Sequence, residues 1–252
     1  MVDLDELEKY TNQLLDIQRF KDYAPNGLQV EGEATVKTLV TGVTASQRLL
    51  DAAVAVGADA VFVHHGYFWR NENPVIRGMK KQRIMTLLKH GISLFGYHLP
   101  LDAHPELGNN ARLGQLLGIG TVEIMDQYEL QGVGNIGLLE QPMTLAGLGQ
   151  RVADVLQREP LLIEGGEHLI RRIAWCTGGA QGYIDKAHEL GADAYLSGEV
   201  SENTTHSARE NGLHYIAAGH HATERYGIQA LGEHLAQRFE IQHQYIDVDN
   251  PV

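Results

Sequence analysis

Residues 38–66 read TLVTGVTASQRLLDAAVAVGADAVFVHHG, and this stretch decides the fold class. Two short apolar runs flank one run whose apolar residues recur at helical spacing, so the stretch predicts strand, helix and strand. Gly57 follows the helical run, where a helix C-terminus favours glycine. The chain continues with a predicted helix at 80–89 and a predicted strand at 93–97. Together with the first stretch, this gives predicted strands at 38–43, 59–63 and 93–97 and helices at 47–56 and 80–89. Strands alternating with helices of this length indicate βαβ units and a mainly parallel sheet.

The rest of the chain carries weaker patterns of the same two kinds. Apolar periodicity and turn residues bound each prediction, and Thr144 is the expected N-cap of one helix. The least patterned region runs from 120 to 168. The further predictions are helices at 4–17 and 144–157 and strands at 28–32, 134–139 and 213–218.

The second half of the chain repeats short stretches of the first half in the same order. Leu28-Gln29-Val30-Glu31-Gly32 resembles Leu161-Leu162-Ile163-Glu164-Gly165, and Gly57-Ala58-Asp59-Ala60 recurs as Gly191-Ala192-Asp193-Ala194. We therefore predict an internal duplication, with one α/β repeat at 1–125 and the other at 126–252. The alternative is that generic βα turns, in which Gly-Ala-Asp is common, create the similarity.

Composition excludes several classes of protein. The chain has 252 residues, 43% of them apolar, which is enough for a proper core. A formal net charge of −12 argues against a protein that wraps nucleic acid. Cys176 is the single cysteine, which excludes a disulfide framework, and its predicted buried strand favours a structural role over nucleophilic catalysis. With no signal sequence and no apolar stretch of membrane length, we expect a cytoplasmic protein without a membrane partner.

Histidines and carboxylates follow three of the predicted strands. In a parallel α/β sheet the carboxyl ends of the strands form the ligand-binding edge. Imidazole nitrogens mixed with carboxylate oxygens suit Zn, Fe, Mn or Co, and the number of donors favours two divalent ions over one. The residues are His64 and His65, His98 and Asp102, and His220 and Glu224.

Each of these residues also has a structural interpretation. His64 and His65 could be one ligand and one structural histidine, or two ordinary surface histidines, and Asp102 could be the N-cap of a following helix. Pro100 disfavours a regular helix here, so His98 and Asp102 are expected on a shaped loop. Arg225 is expected either to bind an anionic substrate group or to pair with a surface carboxylate.

Two further residues are candidates for catalytic roles. Glu199 matches His65 at the repeat offset, and His98 lies at the end of the third strand. Either side chain could move a proton during hydrolysis, so both are predicted as catalytic proton shuttles. His98 could equally orient a metal ligand or a catalytic water.

Four motifs together resemble the GTP cyclohydrolase 1 type 2 homologues, the family of the NGG1-interacting-factor-like proteins. The motifs are Asp22-Tyr23-Ala24-Pro25-Asn26-Gly27-Leu28-Gln29-Val30-Glu31-Gly32, Val63-His64-His65-Gly66, His98-Leu99-Pro100-Leu101-Asp102 and Gly219-His220-His221-Ala222-Thr223-Glu224-Arg225. The resemblance implies two intertwined α/β halves in a toroidal homohexamer, built as a trimer of dimers. It also implies a dinuclear metal site with ligands at His64, His65, Asp102, His220 and Glu224.

The leading functional hypothesis is a dinuclear metal-dependent hydrolase that acts on GTP or another, damaged nucleotide through a metal-activated water. The alternative is a non-catalytic metal-binding assembly or a regulatory, metal-handling protein. Both hypotheses predict bound metal, but only the enzyme needs a small-molecule substrate. A ring that encircles a nucleic-acid strand is disfavoured by the acidic charge.

Overall fold

The computed structural model describes residues 1–126 and 131–252, and it divides the chain into two compact units. The first unit comprises Met1–Leu101 and Gly227–Asp249. The second comprises Asp102–Tyr226 and Asn250–Val252. Residues 127–130, in the least patterned region, lie outside the described residues. Among the described helices, none is both long and apolar enough to cross a membrane.

The first unit is a five-stranded sheet with helices against it. Its strand order is β13-β4-β5-β6-β2, in which only the β6–β2 pair is antiparallel. A buried apolar cluster joins β4, β5 and β6 to the helices α2 and α3. The elements in chain order are β1 (Val2–Asp3), α1 (Leu4–Leu14), β2 (Gly27–Val30), β3 (Thr35–Val36), β4 (Thr38–Thr44), α2 (Gln47–Ala55), β5 (Ala60–His65), α3 (Gly78–His90) and β6 (Ser93–Gly96). Farther along the chain, the unit is completed by β13 (Gln242–Tyr245).

The second unit contains a six-stranded sheet of order β7-β8-β10-β11-β12-β9. Its core packs α5 and α6 around the fully buried indole of Trp175. The chain enters the unit within α4 (Leu99–Ala103) and leaves it within α10 (Arg225–Phe239). The elements between are α5 (Asn109–Leu116), β7 (Ile119–Ile124), β8 (Asn135–Met143), α6 (Leu145–Leu156), β9 (Leu161–Ile163), β10 (Ile170–Cys176), α7 (Ile184–Glu189), β11 (Ala194–Ser197), α8 (Glu202–Glu210), β12 (His214–Ala217) and α9 (His220–Thr223).

Each unit has an aspartate that accepts hydrogen bonds from two backbone N–H groups at the start of a strand. The Asp59 carboxylate accepts hydrogen bonds from the backbone N–H groups of Lys37 (2.8 Å) and Thr38 (2.9 Å), at the start of β4. The Asp193 carboxylate accepts from Arg171 (2.9 Å) and Arg172 (2.8 Å), at the corresponding end of β10. The Gly-Ala-Asp similarity therefore reflects a shared local structure, because the same side chain satisfies two backbone donors in each sheet.

Packing also explains Gly32 and Gly165, the glycines that end the two copies of the other repeated stretch. A Cβ atom added at Gly32 would lie 2.2 Å from the carbonyl oxygen of Gly91, and one at Gly165 would lie 2.4 Å from the backbone of Leu213. Gly32 therefore lies against the turn before β6, and Gly165 lies against the turn before β12. Only a residue without a side chain allows this approach.

The compact units divide the chain at different places from the predicted repeats at 1–125 and 126–252. Residue 125 follows β7, inside the second unit, and β13 returns to pair with β4 in the first unit. The sheets are mixed, as predicted, but a mainly parallel sheet is found only in the first unit. In the second, β7–β8, β8–β10 and β9–β12 are antiparallel pairs, beside the parallel pairs β10–β11 and β11–β12.

Candidate metal centre

Three histidines gather at the carboxyl ends of neighbouring strands in the first unit. His64 and His65 end β5, and His98 follows β6, which is parallel to β5. The ring centres lie 4.6 Å apart for His64 and His65, 5.1 Å for His64 and His98, and 5.8 Å for His65 and His98. One nitrogen from each ring lies within 4.8 Å of the others, so the three can share one metal ion.

The side chain of Gln29 explains why the residue after His64 and His65 is a glycine. Its side-chain oxygen accepts a hydrogen bond from the backbone N–H of Tyr67 at 2.7 Å, and its amide donates to the carbonyl of Pro25 at 2.8 Å. A Cβ atom at Gly66 would lie 2.2 Å from the Gln29 oxygen. Because the Gln29 amide occupies the space that a side chain would need, only glycine fits at residue 66.

The hydrogen bonds of Nδ1 determine which nitrogen two of these histidines offer to a metal. His64 Nδ1 lies 2.9 Å from the carbonyl oxygen of Tyr97, which can only accept a hydrogen bond. His98 Nδ1 lies 2.7 Å from a carboxylate oxygen of Asp22. Both rings therefore carry a proton on Nδ1 and present Nε2, which is the arrangement that metal-binding histidines use.

The side chain of Asp22 is only 3% exposed, and it organises the loop that holds His98. Its carboxylate also accepts from the backbone N–H of Tyr23 (2.6 Å), the side chain of Asn26 (2.9 Å) and the backbone N–H of Leu99 (2.9 Å). Burial opposes ionisation, but the hydrogen bond and charge of His98 and the other donors outweigh it and lower the pKa of Asp22 to about 2. Asp22 is thus an ionised acceptor across the physiological range.

We expect Asp22→Asn to destabilise the first unit in a pH-dependent manner. A pKa lowered from 3.8 to about 2 corresponds to about 2 kcal/mol of unfolding free energy above pH ~4. This contribution is lost as pH falls from 3.8 through about 2, because the carboxylate then binds a proton. Urea unfolding of wild type and variant between pH 7 and pH 3 measures the difference. The exposed Asp51→Asn is the control, and a constant difference at every pH would contradict the expectation.

The second unit contributes two carboxylates and one histidine to the predicted ligands. His220 begins α9, and Glu224 follows its last turn, with His220 Nε2 3.2 Å from a Glu224 oxygen. Asp102, in α4, accepts from the side chain of Asn109 at 2.8 Å and from the Thr177 hydroxyl at 3.4 Å. Asp102 and Glu224 are 7% and 3% exposed, and buried carboxylates of this kind are stable when paired or bound to a cation.

Glu199 holds the other nitrogen of His220. A Glu199 oxygen lies 2.6 Å from His220 Nδ1, and the second oxygen accepts from the amide of Gln181 at 3.4 Å. Burial lowers the pKa of His220, but hydrogen bonds and charge from Glu224 and Glu199 outweigh burial and raise the pKa to about 9. The imidazole sits between two carboxylates, so it is protonated in the metal-free protein, and a cation at Nε2 takes the place of that proton.

The space beside Glu224 and His220 is kept open by a glycine. Gly178 has φ +69°, and a Cβ atom there would lie 2.0 Å from a Glu224 oxygen and 3.2 Å from His220 Nε2. Any side chain at this position would cover the donor atoms. The oxygen and nitrogen donors and this opening fit a divalent cation in the second unit.

Three neighbouring residues differ from their sequence-based interpretations. Asp102 and Pro100 lie in the short helix α4, not on an irregular loop, because proline is tolerated in the first turn of a helix. Asp102 is therefore not an N-cap. Arg225 has a structural contact that neither interpretation includes, since its guanidinium donates to the carbonyl of Leu156 at the end of α6 (2.7 Å).

Cys176 has the structural role that the sequence favours. Its thiol is buried, and burial together with the nearby charges of Asp102 and Glu224 raises its pKa well above the ordinary value. A thiol in this environment stays protonated, and a protonated thiol is a poor nucleophile.

Asp22, Gln29 and Gly178 are site-forming residues that sequence reasoning does not assign. In the sequence, the stretch from Asp22 to Gly32 carries a predicted strand, one copy of a repeat and the family resemblance, but none of these gives Asp22 or Gln29 a role. Its Pro-Asn-Gly turn is the available signal, because it brings Asp22 and Asn26 onto His98: the Asn26 side chain accepts from the His98 backbone N–H at 2.7 Å. For Gly178 the signal is its place after a predicted strand.

Comparison with known proteins gives matches along nearly the whole chain. The family described as Duf34/NIF3 (NGG1p interacting factor 3) matches residues 2–251. A Pseudomonas aeruginosa protein named GTP cyclohydrolase 1 type 2 homolog is 57% identical over 248 residues, 98% of each chain. The solved structure of a protein named ybgI, described as of unknown function, is 53% identical with a TM-score of 0.96, and a crystal structure from Thermus thermophilus is 34% identical with a TM-score of 0.89. Both structures match over 100% of each chain.

Proposed function

The chain belongs to the Duf34/NIF3 family, as its motifs predict, and on that premise we propose that it is a metal-dependent hydrolase with two divalent ions per chain. The proposed ligands are His64, His65, Asp102, His220 and Glu224. The proposed substrate is a small nucleotide, for which the name of the Pseudomonas aeruginosa relative suggests GTP as the first compound to assay.

The observation that carries the proposal is that two proposed ligand histidines, His64 and His220, have a fixed partner on the nitrogen opposite the one they present, and that His98 shares this arrangement. His64 is held by a carbonyl, His98 by Asp22 and His220 by Glu199. Such partners orient ligand rings and increase their basicity. A histidine that served packing would not need this arrangement three times.

The donor set favours two ions over one. A closed tetrahedral site uses four ligands, and the five proposed ligands exceed that number before His98 is counted. When bound, two divalent ions would supply Lewis-acid activation of a water and of the substrate. The chain's own contribution is to hold buried carboxylates at Asp102 and Glu224, whose negative charge the cations offset. Zn, Fe, Mn and Co all accept this mixture of ligands.

His98 is the proposed proton shuttle. Its Nδ1 is fixed by Asp22, while Nε2 is available to exchange a proton with substrate or water. The rings of Trp69 and Tyr23 approach His98 edge-on, at 5.1 and 6.3 Å between centres. Glu199 stays a second candidate for the shuttle, although its bond to His220 favours a positioning role.

The experiment that tests the proposal measures bound metal and turnover on the same sample. Elemental analysis of protein loaded with Zn, Mn, Fe or Co should give about two ions per chain. The same protein should hydrolyse a nucleotide in a screen that includes GTP, and chelation should abolish the reaction. Protein that takes up none of these metals would refute the mechanism.

The second candidate is a metal-binding assembly without catalysis, which the same ligands favour equally. It predicts two ions per chain and no turnover on any nucleotide. In either case we propose the toroidal homohexamer as the assembled form, which light scattering at about six times the 27.8 kDa chain mass would support.

A further inference from the structure

A cavity of about 440 Å³ lies within the second unit, beside the Glu199–His220 pair. Its lining includes the side chains of Arg158 and Glu199 and the backbone of Gly219, which immediately precedes His220. Leu161, Val200 and Ala217 form an apolar wall. Pockets for small organic ligands start at about 300 Å³, so this cavity is larger than an inorganic anion needs.

Arg158 is the cationic group of the cavity, and its guanidinium is incompletely satisfied. Nη1 donates to the backbone carbonyl of Pro251, which fixes the side chain. The Nε–H group is buried and has no hydrogen-bond acceptor among the described residues. A buried guanidinium donor without an acceptor is costly, and a bound oxyanion would supply one.

The backbone around the cavity is shaped to bring Arg158 close to the proposed metal ligand. Gly219 has φ +98°, and a Cβ atom there would lie 2.6 Å from Arg158 Nε. The guanidinium therefore packs directly on the residue before His220. Glu199 joins the two sites, since it lines the cavity and holds His220 Nδ1 at 2.6 Å.

We propose that this cavity binds a phosphate monoester of nucleotide size, with the phosphate on Arg158 and the uncharged part against Leu161, Val200 and Ala217. The planar guanidinium matches phosphate oxygens in a two-point arrangement. The remaining volume accommodates a sugar or a heterocycle. The assignment rests on the proposed function, because it makes the cavity the phosphate-binding part of that substrate site.

Isothermal titration of metal-loaded protein with GMP, guanosine, ribose 5-phosphate and inorganic phosphate tests the assignment. GMP should bind at least about tenfold more tightly than guanosine, because only GMP engages Arg158. Arg158→Gln should remove this difference and leave the affinity for guanosine unchanged. Arg209→Gln, which removes an exposed arginine of the same unit, is the control and should behave as wild type.

Two further results distinguish a wrong cavity assignment from a folding defect of the variant and from a wrong proposed function. Val200→Trp places a large side chain on the cavity lining, at a residue that makes none of the described contacts of Arg158, and should also weaken GMP binding about tenfold or more. Equal GMP affinity in wild type, Arg158→Gln and Val200→Trp would overturn the assignment, as would the failure of wild type to bind any phosphate compound. Tight, Arg158-dependent GMP binding by a protein that never hydrolyses a nucleotide would instead refute the hydrolase alone.

Discussion

Replacement of both Asp102 and Glu224 with alanine is expected to remove bound metal and hydrolysis together. The two buried carboxylates supply all the negative charge among the five proposed ligands. Loss of an outer partner of a ligand costs roughly 10–100-fold in metal affinity, so loss of two ligands should exceed about 100-fold. Elemental analysis after dialysis, with turnover on the same sample, measures the result.

The control for this variant removes the same charge elsewhere in the second unit. Asp185 and Glu210 are exposed, and their double alanine variant should keep metal and activity. The metal-free Asp102→Ala/Glu224→Ala protein should melt below the metal-free wild type, because Glu224 pairs with protonated His220 and Asp102 accepts two hydrogen bonds, so metal content is compared at a temperature where both proteins are folded. Retention of about two ions per chain by this variant would show that the metals use other ligands.

His98→Ala is expected to slow hydrolysis by about 10²–10⁴-fold while the metal content stays unchanged. The reason is that His98 carries the proposed proton shuttle but is not among the five proposed ligands. The rate loss should appear in kcat rather than in KM. His206→Ala, at an exposed position on α8, is the control and should leave kcat unaltered. If His98→Ala releases metal instead, the ring is a ligand, and the shuttle role passes to Glu199.

The alternating strands and helices of the first unit were predictable because local patterns specify them. The predicted strand at 38–43 is β4 (Thr38–Thr44), and the predicted helix at 47–56 is α2 (Gln47–Ala55). Thr144 caps α6 as expected, with its hydroxyl 3.1 Å from the N–H of Gly147. These elements depend on residues close in sequence, and capping and periodicity are visible there.

The unit boundaries and the partners of the histidines were not predictable from such patterns. β13 pairs with β4 across most of the chain length, and no local signal records a pairing partner. Asp22 meets His98 through a side-chain contact between residues 76 apart. The motif around Asp22 was visible, but its contact depends on how the turn at Pro25 folds back, which is a tertiary property.

The late position of β13 has a consequence for synthesis on the ribosome. The strand that completes one edge of the first sheet is translated ~200 residues after β4, which at ~5–20 residues per second is a delay of roughly 10–40 s. During that time the backbone donors and acceptors of β4 on that edge have no native partner. A nascent chain therefore completes residues 102–226, all but the last three residues of the second unit, while the first unit still exposes a strand edge. Chaperone contact should concentrate on that edge until β13 emerges.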